Sequence, residues 1–233
     1  MFVPNRHRQM PNQRFKHSWS SLALLLISPL LVVSSLPGCS GATDLTAEQH
    51  IERAKDQHDK GEGQAAIIEL KNALRQAPNN VEARWLLGSI YLEIGAAQAA
   101  EKELRHAVDF GLDPDTVVIP LTKAALLQGK FQDIVDNPIA PQHLPEAEQA
   151  TLWALRGHAQ LALRNLDSAE EMFDTAISIN ENEPEAGLGK ARLAAARNRI
   201  DQARERLGKV LETHPDFAPK FEAEPRFDGG TNR

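Results

Sequence analysis

Between residues 47 and 213 the chain shows small and apolar positions at helical spacing, interrupted at regular intervals by glycine, proline and asparagine. The segment GEGQAAIIELKNALRQAPNN (61–80) aligns under GAAQAAEKELRHAVDFGLDP (95–114). Gly61 falls on Gly95, Ala66 on Ala100, Leu70 on Leu104 and Ala73 on Ala107, an offset of 34 residues each time. NLDSAEEMFDTAISIN (165–180) aligns in the same way with NRIDQARERLGKVLET (198–213), with Ala169 on Ala203, Phe173 on Leu207 and Ala176 on Val210. Each copy reads as two short amphipathic helices joined by a tight turn. Within EARWLLGSIYLEIGAAQAAEKEL (82–104), Gly88 stands in a helix interior, where glycine costs roughly 1 kcal/mol relative to alanine. A crossing by a second helix accounts for it, with Ala100 facing back from that helix. Gly95 closes the first helix in a left-handed conformation.

Fixed-period self-similarity is the signature of repeat architectures. Five units are expected: 47–80, 81–114, a degenerate 115–149, 150–183 and 184–217. The first ends in Pro78-Asn79-Asn80, the second holds Leu87-Gly88 and Tyr91, and the fourth holds Trp153, Gly157, Ala169, Phe173 and Ala176. In the third, Pro138, Pro141 and Pro145 break the second helix. This pattern resembles the tetratricopeptide repeat, hairpins of two antiparallel helices. The resemblance implies an all-α fold, an α-α superhelix whose first helices line a concave groove that holds a protein or peptide partner. In that family the groove positions of the first helices correspond here to Glu48, Ile51, Lys55 and His58, then Glu82, Trp85, Ser89 and Leu92. In the fourth unit they are Thr151, Ala154, His158 and Leu161, and in the fifth Glu185, Leu188, Arg192 and Ala195. From these, Ile51, Lys55, Trp85, Ser89, Leu92, His158, Leu188 and Arg192 are the candidate partner-binding residues. The basic set with which some members clamp a C-terminal carboxylate is not reproduced. Trp85 has a second reading, as packing against the neighbouring unit.

The first 38 residues are of another kind. Arg6, Arg8, Arg14 and Lys16 form a basic head without acids, and SLALLLISPLLVVSSL follows as an apolar run, the layout of a secretory signal peptide. An uncleaved membrane anchor is the alternative, and both readings place the remainder outside the cytoplasm. Leu36-Pro37-Gly38-Cys39 resembles a bacterial lipobox, which implies cleavage before Cys39 and attachment of lipid to it. Residues 39–46 then form a short linker, and acyl chains at Cys39 hold the protein on a membrane. Ser40 after the cysteine implies sorting to the outer membrane, facing the periplasm of the cell envelope.

Composition narrows the functions. Of 233 residues, 42% are hydrophobic and 25% charged, the balance of a packed soluble domain. With one cysteine, neither an intrachain disulfide nor a cysteine-based zinc site can form. Without residues 1–38 the chain holds 22 basic and 32 acidic side chains, a net charge of −10 that argues against nucleic-acid binding. The histidines show no H-E-x-x-H spacing, and neither a G-x-S-x-G elbow nor a phosphate or dinucleotide loop occurs. No catalytic residue, cofactor, metal site or small-molecule substrate is expected, and the chain is read as not an enzyme.

After Pro215 the helical periodicity stops, so residues 218–233 are expected to form a flexible tail. The helix at 200–212 is expected to leave an apolar face uncovered, either for a partner or because the chain is a shortened form of a longer array. LRGHAQLALRNLDSAEEMFDTAISINENEPEAGLGKARLAAAR (155–197) resembles tetratricopeptide lipoproteins that accompany the exosortase (PEP-CTERM) sorting system. That resemblance implies a scaffold serving exopolysaccharide export or protein sorting. The alternatives are a pilotin-like or outer-membrane assembly lipoprotein, and an accessory subunit of an enzyme.

Overall fold

The computed structural model describes residues 45–136, 143–215 and 217. The expected signal peptide, Cys39, Pro138, Pro141 and the tail at 218–233 lie outside the described residues. Those described belong to one compact unit beginning at Thr43. They form helices α1 (Ala47–Asp59), α2 (Gly63–Gln76), α3 (Val81–Glu93), α4 (Ala97–Asp109), α5 (Val118–Leu127) and α6 (Phe131–Asp136). These are followed by α7 (Glu146–Ala162), α8 (Leu166–Ile179), α9 (Pro184–Ala196) and α10 (Ile200–Thr213). A short 3-10 turn, Pro114–Val117, precedes α5. No strand occurs among the described residues. Consecutive helices pair as hairpins, α1 with α2, α3 with α4, α5 with α6, α7 with α8 and α9 with α10, and each hairpin stacks on the next. The architecture is a helical solenoid.

Local chemistry sets the ends of these helices. Thr46 opens α1 with a capping box: its hydroxyl accepts from the Gln49 amide at 3.3 Å, and the Gln49 side chain accepts from the Thr46 amide at 2.9 Å. The Asn80 side chain caps α3 by accepting from the Ala83 amide at 2.8 Å. Each first helix ends in a left-handed residue: Gly61, Gly95, Gly129, Arg164 and Asn198, with φ of 78°, 76°, 71°, 66° and 60°. Their spacings are 34, 34, 35 and 34 residues, so the backbone itself carries the repeat, with one residue inserted in the third unit. The insertion accompanies a second helix reduced to the six residues of α6. Helix α7 then starts at Glu146, ahead of position 150, with Pro145 before it fixing a φ of −54°.

The core is built from small residues against one large partner. A Cβ added at Gly88 would stand 2.7 Å from Leu104 Cγ. The space expected for Ala100 is therefore filled chiefly by Leu104, while Ala100 itself is fully buried nearby. In the fourth and fifth units a single ring does this twice. Phe173, fully buried on α8, presses one edge against Gly157 of α7 and Gly189 of α9, where an added Cβ would meet it at 2.5 and 2.1 Å. Neither helix could approach this ring with an alanine at those positions.

Candidate functional site

The first helices α5, α7 and α9 lie side by side, α7 packing on both neighbours. Between them, closed at one end by α6, is a cavity of about 250 Å³ lined by Leu126, Leu127, Phe131, His158, Leu161, Ala162 and Arg192. Its walls are apolar apart from His158 and Arg192. The His158 ring is 8% exposed, and Nε2 donates to the Glu185 backbone oxygen at 3.0 Å, which places the proton on Nε2. Burial, then the Arg192 charge, push its pKa down to about 3, so the ring is neutral at pH 7. The cavity is thus an apolar pocket whose formal charge comes from one guanidinium. Such a pocket suits an apolar side chain with an acidic group beside it.

Behind the cavity lies a buried polar layer. The Glu185 carboxylate, on a residue 3% exposed, pairs with Lys123 at 3.3 Å and lies 3.7 Å from His158 Nε2. Its Oε2 is buried without a hydrogen-bond donor. Burial also raises the Glu183 carboxyl above the ordinary carboxylate range, although the Thr151 hydroxyl donates to it at 3.2 Å. These groups fix the relative setting of α5, α7 and α9. Among the described residues no cluster of histidine, cysteine and carboxylate side chains could hold a metal ion.

The family model for the tetratricopeptide repeat matches residues 57–115 and 160–223, more than half of the chain. The chain belongs to the tetratricopeptide repeat family. Solved structures agree on the fold. The chain is similar to MamA from Desulfovibrio magneticus RS-1, residues 41 to the end, with TM-score 0.53 and 16% identity over 73% of this chain and 96% of that one. It is also similar to PilF of Pseudomonas aeruginosa (TM-score 0.52, 16% identity, 73% of this chain and 85% of that). A third is the tetratricopeptide protein TTC0263 of Thermus thermophilus (TM-score 0.52, 20% identity, 72% and 92%). No curated protein sequence matches the chain. Proteins of this family are in general scaffolds for protein interaction without catalytic activity of their own, and they bind protein or peptide partners.

Within the tetratricopeptide array, the eight candidate residues separate by row. Ile51 and Leu188 are 3% and 4% exposed and cannot serve as groove anchors. They share a repeat position with Ala154, which is also fully buried, because the seam between neighbouring first helices closes over it. Ile51 packs with Ile67, Leu70 and Leu87 in the core of the first two hairpins. Trp85, at the same repeat position, is half-buried, as are Ser89 and Leu92. The Ser89 hydroxyl is taken up by the Trp85 carbonyl at 3.0 Å. Lys55 bridges Glu52 and Glu82, both at 2.7 Å, which raises its pKa. His158 and Arg192 are the two candidates that meet at one cavity.

Leu126, Leu127 and Phe131 are not among the candidates, because the proline-broken third unit departs from the family pattern. A signal for them does exist. Carrying the register through that unit puts Lys123 in one row with Lys55, Ser89, His158 and Arg192, and Leu126 in one row with Leu92 and Leu161. A second row, Glu48, Glu82, Thr116, Thr151 and Glu185, is largely acidic. Basic residues of the first row therefore face acids of a following unit, as Lys55 does Glu82 and Lys123 does Glu185.

Proposed function

We propose that this protein is an envelope-anchored scaffold lipoprotein, held on the outer membrane through lipid on Cys39. It takes a segment of a partner protein into the cavity between α5, α6, α7 and α9. The observation that carries the reading is the apolar pocket with the Arg192 guanidinium on its wall, built on the face that the family uses for partners. The partner segment inserts an aliphatic or aromatic side chain against Leu126, Leu127, Phe131 and Leu161, with a carboxylate next to it on Arg192. The sequence resemblance in 155–197 supports a role beside exopolysaccharide export or exosortase-dependent sorting. In this reading the anchor is the lipid; no helix among the described residues is long and apolar enough to cross a membrane, and the apolar run before Cys39 lies outside them.

Photocrosslinking in cells tests this reading, with the reactive residue placed at Leu126 in one strain and at the exposed Glu171 in another. The expected result is a covalent adduct from position 126 that is absent from position 171 and is lost on Arg192→Glu. Mass spectrometry of the adduct then discriminates between roles. An export or sorting component supports the scaffold proposed here, and a secretin or pilus subunit replaces it with a pilotin-like role. A bound active enzyme makes the chain an accessory subunit. Equal crosslinking from both positions rejects the cavity as the binding site. For the anchor, Cys39→Ala is expected to move the chain from the membrane pellet to the soluble fraction, and continued sedimentation with membranes rejects lipidation.

A further inference from the structure

The last helix carries a surface that nothing described in this chain uses. Ile200, Leu207 and Leu211 of α10 are 46%, 38% and 46% exposed. One repeat earlier, the same positions are Leu166, Phe173 and Ile177 of α8, and there they are covered. Leu166 and Phe173 pack with Leu161 and Leu193, and Ile177 packs with Trp153, Ala154 and Ala186. The helix that provides the cover is α9, which packs on α8. Among the described residues no helix stands in that relation to α10.

A second observation falls on the same face. Gly88, Gly157, Gly187 and Gly189 lie in helices, and an added Cβ at each would come within 2.1 to 2.7 Å of a neighbouring side chain. Gly208 also lies in a helix, yet nothing stands within 4 Å of its added Cβ. Those four are explained by a close crossing inside this chain; Gly63, at the first position of α2, has only Ile90 at 3.8 Å, and Gly208 stands in a helix interior with no neighbour. Every fourth residue of α10 forms a row, Ile200, Arg204, Gly208 and Glu212, beside the row Ala203, Leu207 and Leu211. Arg204 and Glu212 form no ion pair among the described residues, and they stand symmetrically about Gly208, one basic and one acidic.

We infer that α10 is a homodimer interface: two copies of this chain pair their α10 helices antiparallel, crossing at Gly208. A two-fold axis there sets each Arg204 against Glu212 of the second copy, at both ends of the contact. Leu207 and Leu211 interleave with their counterparts, and the missing side chain at Gly208 lets the backbones approach. The charge row reads the same from both copies, the self-complementarity that a two-fold contact demands. Head-to-tail stacking of α10 on α1 of another copy is disfavoured. The exposed side of α1 presents Glu48, Gln49, Glu52, Arg53 and Asp56, with no apolar row to receive the leucines. The contact therefore closes as a dimer and does not propagate. It is separate from the cavity between α5, α7 and α9.

Sedimentation equilibrium of the purified full chain, with detergent density-matched, tests this. The expected result is twice the mass of one processed chain, shifting to the single-chain mass for Leu207→Glu/Leu211→Glu. Both leucines are exposed, so that variant should keep the melting curve of its helices, and a melting curve confirms it. Arg204→Glu is expected to weaken dimerisation about tenfold, and Arg204→Glu/Glu212→Arg to restore it. Gly208→Cys should give a disulfide-linked dimer on mild oxidation. A single-chain mass at all concentrations overturns the inference, as does a dimer indifferent to the leucine substitutions. A chain that dimerises only after deletion of residues 218–233 also overturns it, since the tail is then the native occupant. Failure of the charge swap to restore association overturns the antiparallel arrangement and with it the proposal.

Discussion

Gly189→Ala isolates the packing on which the C-terminal half depends. The new methyl would stand 2.1 Å from Phe173 Cε1, 2.3 Å from Cζ and 2.6 Å from Cδ1. The ring is rigid and fully buried, and the same edge already lies against Gly157 of α7, so it has little room to shift. Forcing a methylene-sized group into a filled core costs typically about 1–3 kcal/mol, and this geometry belongs at the upper end. Alanine returns roughly 1 kcal/mol of helix propensity over glycine. The net expectation is a loss of about 1–2 kcal/mol. Urea unfolding followed by far-UV circular dichroism, together with the fluorescence of Trp153 on α7, measures it. A repeat array unfolds in parts, so the transition that Trp153 reports is the one to compare. Trimming the ring should relieve the clash: Gly189→Ala/Phe173→Leu is expected to lose at least about 1 kcal/mol less than the sum of the two single changes. A Gly189→Ala chain as stable as the unsubstituted one, or strict additivity in the double variant, refutes the clamp around Phe173.

Three further outcomes are expected. Arg164 sits at φ 66°, in the left-handed region where glycines stand in the earlier units, so Arg164→Gly should gain about 1 kcal/mol; an unchanged or lower urea midpoint counts against it. Ala100 is fully buried beside Leu104, and Ala100→Leu should cost about 1–3 kcal/mol by overpacking, to be read as a fall in melting temperature. His158 is held neutral with a folded pKa of about 3 against an ordinary 6.5, so its contribution is complete above pH 6.5 and is lost as pH falls toward 3. By about pH 4.5 this amounts to about 2–3 kcal/mol, and His158→Gln should flatten the acid limb of the stability curve by that amount; parallel limbs for the two chains reject it.

The parts legible from sequence are those fixed by local chemistry repeated at a fixed spacing. Gly95 marks a left-handed turn, Gly88 marks a close crossing, and the helical character of 47–213 follows from small and apolar periodicity. The uncovered face at 200–212 is visible too, because its apolar residues repeat those of α8. Burial across seams is less legible. Ile51 and Leu188 occupy a position that the family pattern assigns to the groove, yet both are buried in this array. The cavity escapes the sequence for another reason: Leu126, Leu127 and Phe131 of its wall come from the unit whose second helix is too short to show the family pattern. Nor can the sequence reveal the neutral state of His158, which follows from its burial and from Arg192 arriving from another helix.

The joints between hairpins carry ion pairs as well as apolar contacts. Inside a hairpin, small residues pack against leucine or phenylalanine, as Gly88 does on Leu104 and Gly157 on Phe173, beside the ion pairs His50–Glu69 and Arg84–Glu103. Across the joints, charges take a large share: Lys55 to Glu82, Lys130 to Glu101, Lys190 to Asp174 and Arg197 to Asp167. Exposed pairs of this type are each worth about 0–1 kcal/mol and weaken as salt rises, whereas apolar burial does not. Concentrated electrolyte should therefore weaken the charged share of these joints while the apolar contacts within and between repeats persist. Part of the stiffness of the array is thereby expected to vary with the ionic medium around it.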